Sequence, residues 1–126
     1  LGLGLWGSDI GGYSEFAEYI ASGKMRAIGV TSGQRLKGIN VPTLKEQGVN
    51  VEIGNWRGVY GAPGISPEQH RALTTMVQKA VASKAWQEAL EKNNWTPAWM
   101  AGEQFAHFVD QEFASLRATM VKAGMV

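Results

Sequence analysis

Residues 11–31 read GGYSEFAEYIASGKMRAIGVT, and a change of hydrophobic period inside this stretch decides the fold class. From Ser14 to Ser22 the apolar residues Phe16, Ala17, Tyr19 and Ile20 fall on one side at helical spacing, with Glu15 and Glu18 on the other. Ser14 is the expected N-cap, Glu15 complements the positive end of the helix dipole, and Gly23 supplies the stop. Met25 to Thr31 is then a short apolar run of strand length. Helix, tight turn and strand in that order predict an α/β layer.

Working outward, Ser32 to Gly38 is polar and reads as a loop. Pro42 fixes a turn, and Thr43 to Gln47 forms one helical turn, capped by Thr43 and closed by Gly48. Val49, Val51 and Ile53 alternate with Asn50 and Glu52 at strand period, and Trp56 to Tyr60 favours extended backbone. The C-terminal half is helical. Ser66-Pro67-Glu68-Gln69 is a capping box with proline at the first helical position. The stripe that follows is Ala72, Leu73, Met76, Val77, Ala80 and Val81. Ser83 caps a shorter helix that ends at Asn93-Asn94. Trp95 to Met100 is expected to be extended, broken at Pro97. The last helix is predicted from Gly102 to Ala123, with Phe105, Phe108, Val109, Phe113, Leu116, Met120 and Val121 turned inward.

Composition narrows the function. The 126 residues suffice for one ordinary domain. Twelve Lys plus Arg against eleven Asp plus Glu give a net charge of +1, which removes the electrostatic case for a nucleic-acid partner. With no cysteine there is no disulfide framework, thiol nucleophile or cysteine zinc site. The apolar opening LGLGLWG is far short of a membrane span and lacks the marks of a signal peptide. A start at Leu1, without Met, reads as a piece of a longer polypeptide or a processed chain.

Candidate chemistry is sparse. His70 lies opposite the apolar stripe of its helix. His107 has Asp110 three positions on, within reach on a helix, but a metal site needs further ligands. No serine sits in a G-x-S-x-G elbow, and Gly2, Gly4 and Gly7 do not have nucleotide-loop spacing. No catalytic residue, metal or cofactor is expected. Two stretches stand out. Gly12, Tyr13 and Ser14 place flexible backbone at a helix N-terminus, where amide N–H groups favour a carboxylate or phosphate; the plain alternative is a glycine turn with a serine cap. In GNWRGVYGAPG, residues 54–64, Arg57 reads either as an anion clamp or as a structural fork to neighbouring carbonyls.

The order of GGYSEFAEYIASGKMRAIGVTS, then VPTLKEQGVNVEIGNWRGVYGAPGISPEQ, then AGEQFAHFVDQEFASL resembles the extracytoplasmic solute receptors of tripartite tricarboxylate transporters, the Bug family. The resemblance runs from about Gly11 to Val126, and PTLKEQG followed by NWRG is its most specific part. It implies a type II periplasmic-binding-protein fold and a non-enzymatic receptor in the periplasm. Such a receptor captures a small dicarboxylate or tricarboxylate between two lobes and delivers it to a membrane permease. Family members are longer, so this chain is expected to be their C-terminal portion. On that reading residues 1–32 end the second lobe, 33–64 cross over, and 65–126 close the first lobe. Gly12, Tyr13 and Ser14 match the segment opening toward the cleft and are the expected ligand side; Trp56 and Arg57 match the family segment without an assigned role.

A rival reading is a self-associating fragment without a specific ligand, and a third is an enzyme using His107 and Asp110. The helices are striped for burial on a sheet for which this chain supplies about three strands. Their apolar faces are therefore expected to meet the missing receptor half or another copy of the chain, with sheet-edge pairing as the route.

Overall fold

The computed structural model describes residues 9–126. The LGLGLWG run and the glycines at 2, 4 and 7 lie outside the described residues. Among the described residues four helices follow in order: α1 (Tyr13–Ala21), α2 (Pro67–Val81), α3 (Lys84–Asn93) and α4 (Gly102–Lys122). They belong to two compact units. One is the chain through Tyr60 together with Gln87–Thr96; the other is Gly61–Trp86 with Pro97–Val126.

Helix boundaries follow the local chemistry of their ends. At α2 the Ser66 Oγ accepts from the Gln69 amide at 3.1 Å, and Gln69 Oε1 accepts from the Ser66 amide at 2.8 Å. This is the reciprocal capping box read from the sequence. Ser83 opens α3, its hydroxyl accepting from the Trp86 amide. The α1, α3 and α4 C-termini share one stop. At α1 the Lys24 amide donates to the Tyr19 carbonyl and the Gly23 amide to that of Ile20. Asn94 with Trp95, and Gly124 with Met125, repeat the pattern. Gly23, Asn94 and Gly124 have φ values of 73°, 53° and 69°, the left-handed conformation this motif requires.

The start of α1 corrects the sequence reading. Its N-cap is Gly12, with no side-chain cap, and Ser14 sits inside the first turn. Glu15 is the reason: from the third helical position its carboxylate reaches back to the Gly12 amide at 2.7 Å, the glutamate half of a capping box. The paired glycines make room for that return. A Cβ on Gly11 would lie 2.7 Å from the Phe16 ring and 2.9 Å from the Glu15 carboxylate.

The expected strands do not form among the described residues. Met25–Thr31 contributes one parallel bridge, Val30 to Thr43. It is built from the Val30 amide on the Pro42 carbonyl and the Leu44 amide on the Val30 carbonyl. Proline has no N–H, so Pro42 cannot donate to the ladder. At 49–53 the Val51 amide turns back onto the Val49 carbonyl at 2.8 Å, a three-residue turn that breaks the period-two pattern. Trp56–Tyr60 and Trp95–Met100 are irregular. Strand-like composition needs paired neighbours to become sheet, so the α/β expectation gives way here to four helices joined by irregular chain.

Burial is unequal between the units. Val41, Thr43 and Leu90 are the buried residues among those described, and all three belong to the unit running through Tyr60. The inward stripe expected on α4 is only partly inward: Phe105, Phe108, Val109 and Met120 are half-buried, whereas Phe113, Leu116 and Val121 are exposed.

Two serines separate capping from mere presence in a first turn. Ser66→Ala should cost about 1 kcal/mol. Ser14→Ala should stay within about 0.5 kcal/mol of the parent, as for surface changes away from a cap. Urea unfolding of both variants makes the comparison, and equal losses would refute the Gly12 cap.

Candidate functional site

Three pieces of the first unit carry the residues of interest: the α1 start, the turn at 43–48 and the segment at 54–60. At the α1 start, Gly12, Tyr13 and Ser14 are consecutive, as their sequence demands, but not equivalent. The Gly12 amide is occupied by the Glu15 carboxylate. Tyr13 and Ser14 are the first two helical residues, whose amides have no acceptor within the helix. Tyr13 is half-buried and Ser14 exposed. The helix start thus holds one carboxylate oxygen already, supplied by its own chain.

The turn at 43–48 is held by several hydrogen bonds. The Thr43 hydroxyl accepts from the Glu46 amide at 3.1 Å, and the Glu46 carboxylate accepts from the Thr43 amide at 2.7 Å. Sequence reading found the Thr43 cap and missed Glu46, although Thr-x-x-Glu is itself the capping-box signature. Arg35 adds a second hold, its Nε lying 3.0 Å from both Glu46 oxygens while Nη1 donates to Asn40. The Arg35 hydrogen bond and the Thr43 amide lower the Glu46 pKa below the ordinary glutamate value, against a smaller opposing effect of burial. Gln47 ties the turn to the preceding run, its Nε2 donating to the Ile28 and Thr43 carbonyls. Lys45 pairs with Glu52. Thr31 and Ile53 exchange two hydrogen bonds, amide to carbonyl at 3.0 Å and hydroxyl to carbonyl at 2.8 Å. The turn therefore holds 28–31 against 42–53.

The segment at 54–60 is less constrained. Arg57 is exposed and its Nη1 donates to Asn55 Oδ1 at 2.9 Å. Of the two roles open to Arg57, anion clamp or fork to backbone carbonyls, this bond is neither, and the guanidinium stays on the surface. His70 and His107 are exposed, and no group of three or more His, Cys, Asp or Glu that could hold a metal ion occurs among the described residues. None of the described helices is long and apolar enough to cross a membrane.

Against known proteins, the model of the tripartite tricarboxylate transporter family receptor, TctC, matches residues 8–125. The chain belongs to this family. It is 27% identical over 111 residues to the "UPF0065 protein in gbd 5'region" of Cupriavidus necator, covering 87% of this chain and 34% of that protein. Among solved structures it resembles a ligand-free crystal structure of a TctC solute binding protein from Polaromonas. The identity is 33% and the TM-score 0.63, covering 86% of this chain and 38% of that one. The chain thus spans about a third of the length of each relative, and the match carries a periplasmic-binding-protein fold. The family resemblance read from PTLKEQG and NWRG is borne out.

Glu46 makes the turn acid-sensitive. Because its folded pKa is lowered, its contribution is present above the unfolded glutamate value and disappears as pH falls through the folded one. Thermal melting between pH 7 and pH 3 should show a loss on acidification that Glu46→Gln flattens. An unchanged pH slope in that variant would remove Glu46 from this role.

Proposed function

We propose that this chain is part of an extracytoplasmic solute-binding receptor, resident in the periplasm, that captures a small dicarboxylate or tricarboxylate for a tripartite transporter. The observation that carries the reading is the receptor-family match along residues 8–125, supported by the likeness to a TctC solute binding protein. In this reading residues 1–32 end the second lobe, 33–64 cross over and 65–126 close the first. The receptor works by capture and handover to a membrane permease, without catalysis, cofactor or nucleic acid.

The ligand side of this proposal is the α1 start. A ligand carboxylate would take the amides of Tyr13 and Ser14 and the Ser14 hydroxyl, at the positive end of the helix dipole. Glu15 supports this reading in kind: its own carboxylate oxygen lies 2.7 Å from the neighbouring Gly12 amide. The same residue sets a condition, because its charge opposes a second anion nearby. The ligand is therefore expected to engage the hydroxyl and the two amides beyond Gly12, not the Gly12 amide itself.

A second reading, a self-associating fragment without a specific ligand, is favoured by Phe113 and Leu116, which are 68% and 61% exposed. Ligand-dependent melting separates the two. Citrate, malate or aspartate at a hundred times its dissociation constant should stabilise the chain by about 2.7 kcal/mol. Ser14→Ala should reduce that gain while leaving the ligand-free melting temperature unchanged. No shift with any carboxylate would sink ligand capture by this chain, and a full shift in the variant would remove Ser14 from the site.

A further inference from the structure

We draw no further inference here: the strongest candidate, the surface patch of Phe113, Leu116 and Val121 at the exposed end of the α4 apolar row, continues the half-buried row of the same helix, and nothing in the structure shows what covers it in a chain that spans about a third of its relatives' length.

Discussion

A single carboxylate organises the chain between Ile28 and Ile53. Glu46 accepts the Thr43 amide on one side and the Arg35 guanidinium on the other, while its own amide is taken by the Thr43 hydroxyl. This closed circuit satisfies polar groups around a threonine that is only 2% exposed, where an unpaired donor would be costly. With the turn fixed, Leu44 presents its amide to Val30, Gln47 reaches Ile28, and Lys45 faces Glu52. The irregular segments of the unit gain their order from this turn, because no sheet ladder among the described residues holds them.

Much of the helical architecture was legible because helix ends are set by short-range chemistry. Ser66 with Gln69, Ser83, Gly23 and Asn94 each act within four residues of themselves, and each was readable from its neighbours. Ser14 was misread for an instructive reason. It is a preferred cap residue, but Glu15 beside two glycines offers a competing acceptor, and the cap lies two residues earlier, at Gly12, to use it. Strands failed for the opposite reason. The alternation at 49–53 and the apolar run at 25–31 were genuine patterns, yet a strand is defined by its partner and the pattern does not say where that partner is. The family resemblance lay in plain sight in PTLKEQG and NWRG, since those motifs join the bonded turn to the Arg57 segment.

At the candidate site, what the sequence offered and what the structure arranges differ in kind. Gly12, Tyr13 and Ser14 were grouped as one anion-friendly backbone, but the chain's own Glu15 divides them by taking the first amide. No residue-level signal made this visible except the three-residue spacing of a capping acid from its glycine. Arg57 shows the converse: two roles were open for it, and a short contact to Asn55 on an exposed surface leaves its charge toward solvent.

Ser83 spans two helices with one oxygen. Its hydroxyl donates to the Ala80 carbonyl at 2.6 Å, near the end of α2, and accepts from the Trp86 amide at 3.2 Å, in the first turn of α3. Only Ala82 and Ser83 separate the two helices. The end of one and the start of the other are thus wired in series. If the last turn of α2 opens, the hydroxyl loses its orientation and the first turn of α3 loses its acceptor. Fraying, which helix termini ordinarily undergo independently, becomes a shared event here. Amide protection at the end of α2 and at the start of α3 is then expected to rise and fall together.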